Sequence, residues 1–424
     1  MTSELAMSGE IPVPAQGGPG DGTRVEVNVA RGALIGLLLK NLVLTILTLG
    51  IYRFWARTNV RRRLWSSVSI QGEPLAYTGR AKELLIGFLL ALIILVPVMG
   101  VFGVISAMTP PNTLTHLIVN LGTLVFFSFL GLMAIYFARR YLLSRTAWRG
   151  IHAGQTGSFT QFIGTHLKFY LPSVLTLGLM LPWSQAKVHN YRAGITYFGT
   201  EQFSADAKPA GLWGPYLLAW GLVAAAYIGF VSSFWPLFIY SMQMQAAQEA
   251  GDPLPPLPDD IMPAMGGMGA FGYFALLVPA ALVFFHYNCR MWSQFITSSR
   301  LGAISFRLSL PTARLLYIPI VTLVVLAVLI GIMVAAFAGF TAGVDSGDPA
   351  QGFTAFLVIV AVTFMLFVGL NLVSVAWVMV EMMKAVGRYL RIDNIDAVSD
   401  IFNRGRPAPR RGEGMADALG DIGI

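Results

Sequence analysis

Ser184 and Lys187, in 184-SQAK-187, stand at the S-x-x-K spacing at which a lysine can take the proton of a serine nucleophile. Enzymes built that way also carry S-D-N and K-T-G elements, and this chain has neither. The pair is expected on a solvated helix face instead. The stretch 267-GMGAFG-272 satisfies G-x-G-x-x-G. That pattern cradles a pyrophosphate only between a strand and a helix N-terminus of a βαβ unit. Here a Pro-rich stretch precedes it and an apolar one follows, so helix packing or loop flexibility is the expected role. His116, His152, His166, His189 and His286 lack ligand spacing, have no carboxylate cluster beside them, and are joined by a single cysteine, Cys289. No metal site and no cofactor are expected. No paired carboxylates or nucleophile–base set stands out, so no enzyme is expected.

A different chemistry is written in 48-TLGIYRFWARTNVRRRLW-65. Arg53, Arg57 and Arg61 recur every fourth residue and form one cationic stripe on a helix, with Trp55 at its start and Arg62 and Arg63 at its end. In a soluble chain with net charge +8 such a stripe would suggest nucleic acid. This chain is 55% hydrophobic and 12% charged, half of the roughly 25% charge of a soluble domain. The stripe follows an apolar run directly, so it reads as membrane-surface charge facing anionic lipid headgroups rather than a nucleic-acid site.

The elements that carry these residues follow from hydropathy. Six segments are long and free of Asp, Glu, Lys and Arg: 84–105, 117–137, 212–240, 270–287, 315–340 and 353–380. Each can cross a bilayer core of about 30 Å, with 270–287 at the short end and 212–240 long enough to tilt or bend near Pro236. Loops 106–116, 241–269 and 341–352 lack Lys and Arg, whereas 53–82, 139–168, 184–208, 288–314 and the chain after Lys384 are basic. The positive-inside rule places the basic group and both termini in the cytoplasm. The six spans then form three hairpins.

Two apolar segments, 33–55 and 162–183, have basic residues at both ends and are interrupted by Lys40 and Lys168. They are expected to re-enter or to lie in the interface, with the lysines snorkelling to headgroups. Two tilted full spans are the alternative. Shifting the chain by 128 residues aligns Gly36 with Gly164, Lys40 with Lys168, 48-TLG-50 with 176-TLG-178 and Trp55 with Trp183. The segments therefore read as one module used twice, about 32–82 and 160–210. The aligned lysines are the candidate headgroup or ligand contacts, with Trp55, Trp183, Arg53, Arg57 and Arg61 beside them. The glycines preceding them would permit close helix approach. Alternating apolar residues in Val25/Val27/Val29, Val68/Ile70, Leu75/Tyr77, 195–205 and 304–310 predict short strands pairing into a small cytoplasmic sheet. Residues 1–23 and 403–424 read as disordered tails around a membrane domain of 24–402. The fold class is mainly α: a polytopic α-helical membrane protein with six full spans, two re-entrant or interfacial helices in an internal repeat, and short cytoplasmic β-strands.

The blocks 41-NLVLTILTLGIYRFWARTNVRRRLW-65, 72-GEPLAYTG-79, 176-TLGLMLPWSQAKVHNYRAG-194 and 388-RYLRIDNIDAVSDI-401 resemble the YjgN-like family of bacterial multi-pass inner-membrane proteins, a domain of unknown function. The resemblance covers roughly 25–402 and departs from the pattern at 61-RRRLW-65, where an Arg-Tyr pair is expected. It implies a bacterial inner-membrane location and no activity, cofactor or substrate. Duplicated, interrupted helices support transport or handling of lipid or another amphiphile, since the six spans hold no ionisable group for a coupled ion. The alternative is a non-transporting scaffold, with small residues such as Ala335, Gly339 and Gly343 mediating helix contacts.

Overall fold

The computed structural model describes residues 22–403 apart from 112, 252, 254, 257–272, 274 and 346–348. Gly22, Thr23 and Asn403 excepted, the two expected tails lie outside the described residues, as does 267-GMGAFG-272.

Short runs rich in β-branched and aromatic residues form strands, and two-residue turns join them into hairpins. After β1 (Thr23–Val27), β2 (Val68–Ile70) turns at Gln71-Gly72 into β3 (Glu73–Pro74) and β4 (Ala76–Tyr77). β5 (Thr146–Trp148) turns at Arg149-Gly150 into β6 (Ile151–Gln155). β7 (Thr196–Phe198) turns at Gly199-Thr200 into β8 (Glu201–Ala205), and β9 (Ser299–Leu301) at Gly302-Ala303 into β10 (Ile304–Leu308). β11 (Leu390–Asp393) pairs with both β10 and β1. In the first two turns both central residues are left-handed, at φ 51° and 79° and at φ 49° and 76°. That twist matches the flanking strands, and a glycine second in each makes it accessible.

The strand order is β3-β2-β1-β11-β10-β9-β8-β7-β6-β5-β4. Its two ends are separated only by Leu75. The stretch from Glu73 to Tyr77 pairs with β2 by its first half and with β5 by its second, and the sheet closes on itself. Val25, Trp148, Leu301, Ile304 and Ile392 fill the ring, with Leu75, Phe203 and Phe306 against them. Ile395 and Val398 of a 3-10 turn, and Ile401 after it, complete the same core. The small sheet expected from the alternation is thus an eleven-stranded ring. Each hairpin alone would leave two unpaired edges, and closure removes them.

Between strands the chain makes five helical excursions. The first is α1 (Arg31–Leu47) and α2 (Arg53–Trp65), and the second α3 (Ala81–Met108) and α4 (Leu114–Ser144). The third is α5 (Phe159–Leu175) and α6 (Leu181–Gly194), and the fourth α7 (Trp213–Ala250) and α8 (Leu277–Thr297). The last is α9 (Tyr317–Asp345) and α10 (Pro349–Leu372), continued by a π-helical stretch, Val373–Met379, into α11 (Val380–Tyr389).

Five described helices are long and apolar enough to cross a membrane: Ala81–Met108, Leu114–Ser144, Trp213–Ala250, Thr312–Gly339 and Phe356–Tyr389. The sixth expected span, 270–287, is not among them. Its described helix starts at Leu277 and ends in the polar 288-NCRMWSQFIT-297, which leaves a short apolar run. α7 continues through Pro236 and beyond Tyr240, so part of the expected 241–269 loop is helix. At Gly36, Gly164 and Gly339 no atom of another element within the chain lies within 4 Å of where a Cβ would stand.

Candidate functional site

The two short helix pairs are built alike. Thr48 ends α1 and starts the return: its hydroxyl donates to the Leu44 carbonyl at 2.8 Å and accepts from the Tyr52 N–H at 2.9 Å. Thr176 does the same with Pro172 at 2.7 Å and the Met180 N–H at 3.2 Å. Leu49 and Gly50 take φ 50° and 91°, and Leu177 and Gly178 φ 50° and 90°. The Gly50 N–H donates to Thr45 at 2.7 Å and the Gly178 N–H to Ser173 at 2.6 Å. These bonds satisfy orphan carbonyls of a helix end, and the chain reverses in the five residues 48–52 and 176–180. Both hairpins end in exposed apolar side chains, with Leu49 94% and Leu177 81% exposed beside Leu47 and Leu175. The second tip is also held by α7, where Tyr216 Oη donates to the Gly178 carbonyl at 2.6 Å and Trp220 Nε1 to that of Leu177 at 2.9 Å.

Lys40 and Lys168 are both exposed, each ten residues into its helix. Lys168 Nζ lies 5.7 Å from the Phe169 ring centroid. Trp55 and Trp183 are half-buried on the returning helices, Trp55 stacked on Tyr52 at 6.2 Å and Trp183 edge-on to Phe169 at 5.6 Å. Arg53 is exposed, its guanidinium 5.4 Å from each of the Phe54 and Phe88 rings. Arg57 is half-buried.

Arg61 departs from the expected stripe. It is 1% exposed, donates to Tyr77 Oη at 3.3 Å and stacks over that ring. The four-residue spacing puts it on the face of α2 that packs against the chain rather than toward headgroups, so a lipid contact at Arg61 is corrected. Ser184 is likewise fully buried: it donates to the Phe169 carbonyl at 2.6 Å and shares a 2.6 Å contact with Ser173. Lys187 is exposed on another face. The expected solvated face therefore holds for Lys187 only.

Three polar clusters lie where the helices meet the sheet, and none is a contiguous motif. In the first, Arg145, 2% exposed, sits 2.9 Å from Glu83 Oε2 at the start of α3, off the hydrogen-bonding direction. Tyr141 Oη donates to the same carboxylate oxygen at 2.9 Å. In the second, Arg139 of α4 donates to Gln155 Oε1 at 2.9 Å and Thr196 Oγ1 at 2.8 Å. Arg192 of α6 donates through Nε and Nη2 to His166 Nε2 at 3.2 and 3.0 Å. His166 Nδ1 faces the Phe162 carbonyl at 2.7 Å, so Nδ1 carries the proton and Nε2 is the acceptor. Burial, then the charges of Arg192 and Arg139, hold His166 down at about 4 against the one raising influence, the Phe162 carbonyl. Burial also lowers Arg192 and His189. In the third, buried Glu381 pairs with Arg31 and accepts from Tyr317, and Arg31 lies 5.0 Å over Trp377. Glu381 follows the π-helical stretch and stands one residue past the expected span 353–380. Helix π-bulges gather at functional sites. Only the Arg139-Arg140 doublet at the end of a span hinted at the second cluster in sequence. Among the described residues no group of three or more His, Cys, Asp or Glu is placed to hold a metal ion.

Five helices long and apolar enough to cross a membrane, joined to a closed sheet, are compatible with a membrane protein. Over residues 23–417 the chain belongs to a bacterial family described as "Bacterial protein of unknown function (DUF898)", in agreement with the resemblance read from its sequence blocks. No curated protein and no solved structure matches it.

Proposed function

We propose that this protein handles lipid or another amphiphilic substrate in the bacterial inner membrane, without enzymatic chemistry of its own. The observation that carries the reading is the pair of helical hairpins with exposed leucine tips and one exposed lysine at the same position of each. Read as re-entrant, each hairpin would bring a cation partway into the hydrocarbon, where an isolated lysine is unfavourable by about 2.5–3.5 kcal/mol on insertion scales. A passing headgroup offsets that cost. The tips would part the acyl chains next to it.

Topology and charge together support an orientation with both termini in the cytoplasm. Every excursion leaves the sheet and returns to it, which supports β1 and β11 on one side of the membrane, and the basic segments favour the cytoplasm for that side. The return of the chain from α7 to β9 supports a sixth crossing through the region of α8. A cysteine at Ser241, with Cys289 replaced, should react with an impermeant reagent from outside. Reaction only after permeabilisation would overturn the orientation.

For function, purified protein goes into liposomes carrying a fluorescent phospholipid, and transbilayer exchange is followed by quenching from outside. Protein-dependent exchange, slowed several-fold by Lys40→Gln plus Lys168→Gln, is the expected result. Exchange equal to protein-free liposomes would leave the scaffold reading. That reading gains no strand-addition partner from the sheet, whose edges are closed on each other.

A further inference from the structure

Two arginines at the junction stand close to each other without a negative partner. Arg139 and Arg192 come from different elements, the end of α4 and the end of α6, and meet where Arg139 Nη2 donates to the Arg192 carbonyl at 3.4 Å. All their hydrogen-bond acceptors are neutral: Gln155, Thr196, the Arg192 carbonyl and His166. Among the described residues no carboxylate pairs with either one. Elsewhere at the junction the arrangement differs, for Arg145 has Glu83 and Arg31 has Glu381. Neutral acceptors satisfy N–H groups and leave the charge uncancelled, so two half-buried guanidiniums remain an unbalanced positive pair. Both side chains are partly exposed, and an anion from outside can reach them. Gln155, nine-tenths buried, keeps its Nε2 donor without an acceptor in the same cluster.

The surroundings say what sort of anion. Phe129 stands exposed on α4, its ring 5.8 Å from that of Phe159, and Leu167 and Leu171 stand exposed on α5. Tyr136, Phe137, Phe159 and Phe162 form an aromatic cluster just beyond Arg139 and Arg192 on the α4 and α5 side. A charged end next to an apolar flank fits an amphiphile with an anionic head. Arginine forks match phosphate oxygens two at a time, which a single carboxylate partner would otherwise occupy. Basic pockets between helices at the cytoplasmic face of a membrane suit anionic headgroups.

We propose that Arg139 and Arg192 bind the phosphate of an anionic glycerophospholipid where the end of α4 meets the α5–α6 hairpin. The proposal rests on the reading that the protein handles lipid, and names the headgroup class and the residues that take it. Lys40 and Lys168 have no part in this site.

The test is thermal unfolding of the full-length protein in a neutral detergent, with phosphatidylglycerol, phosphatidylcholine of the same acyl chains, or inorganic phosphate added. Phosphatidylglycerol should raise the midpoint by about 2 °C or more over phosphatidylcholine, because it binds the folded state alone. Arg139→Gln and Arg192→Gln should each abolish that difference, and Arg139→Lys should keep part of it. An equal effect of the two lipids on the wild type, or a difference that survives both glutamine variants, overturns the site. A full effect from inorganic phosphate alone overturns the lipid as its source. If the glutamine variants do not fold, the wild type decides by native mass spectrometry. Retained phosphatidylglycerol should fall with rising salt while retained phosphatidylcholine does not, and a salt-independent excess overturns the charge-based site. Loss of lipid exchange in liposomes with the phosphatidylglycerol effect intact removes the transport reading and leaves this site standing.

Discussion

Leu49 and Leu177 hold left-handed backbone at φ 50° while exposing nearly whole side chains. Left-handed conformation is unfavourable for a side chain with a Cβ by roughly 1–2 kcal/mol, and asparagine tolerates it far better than leucine. In water, replacing each leucine by asparagine would therefore relieve strain and remove exposed apolar surface, with a gain of up to about 1–2 kcal/mol per tip. Inside a bilayer the sign reverses. A leucine moved from water into hydrocarbon gains about 1.5–3 kcal/mol, and an asparagine amide without partners loses about 2 kcal/mol or more. The double variant Leu49→Asn plus Leu177→Asn should then be at least as stable as wild type in short-chain detergent, and several kcal/mol poorer in bilayer nanodiscs. Thermal unfolding in the two media measures the difference. A fluorophore at position 49 should be quenched by a nitroxide on the lipid tails and protected from aqueous iodide. A variant stabilised equally in both media, or strong iodide quenching, would refute the insertion of the tips.

Glu83→Gln leaves Arg145 buried beside a neutral group and should destabilise by about 2–4 kcal/mol, toward the low end because the Glu83 side chain is 32% exposed. Adding Arg145→Met should recover much of the loss, and a double-mutant cycle in detergent that finds no coupling would refute the ion pair. His166 resists protonation down to about 4, whereas the unfolded chain takes a proton near 6.5. The unfolded state binds more protons between those values, so this contribution is complete above pH 6.5 and is lost as pH falls toward 4. It amounts to about 3 kcal/mol. The groups facing it are Arg192, Arg139, Tyr170 and Tyr191, and His166→Gln should flatten that limb of the stability profile. Gly199→Ala, at φ 56° with its Cβ 2.5 Å from the Phe402 carbonyl, should cost well over 1 kcal/mol. Gly72→Ala, at φ 79° in open space, should cost about 1 kcal/mol. Equal effects would show that the end of the ring is not packed as described.

The sequence alone determined the elements whose signal is local. Spans such as Ala81–Met108 are legible because hydrocarbon demands an unbroken apolar run, and the strand stretches because alternation has a period of two. The shared TLG turns and the equal position of Lys40 and Lys168 along their helices follow from the 128-residue alignment, since the same hydroxyl and glycine chemistry reverses both helices. What depends on distant residues meeting was not legible. β5, β6, β9 and β11 were not legible, because 146-TAWRGIHAGQ-155 alternates poorly and Ser299–Leu301 and Leu390–Asp393 are too short to show a period, and ring closure through Leu75 depends on partners about 70 residues away. Charge spacing could not tell exposed Arg53 from buried Arg61, because both sit on one stripe and only the packing of α2 against Tyr77 separates them. Arg139, His166 and Arg192 share no motif. Tertiary structure brings them together, where the end of α4 meets the α5–α6 hairpin beside the β6–β7 pair.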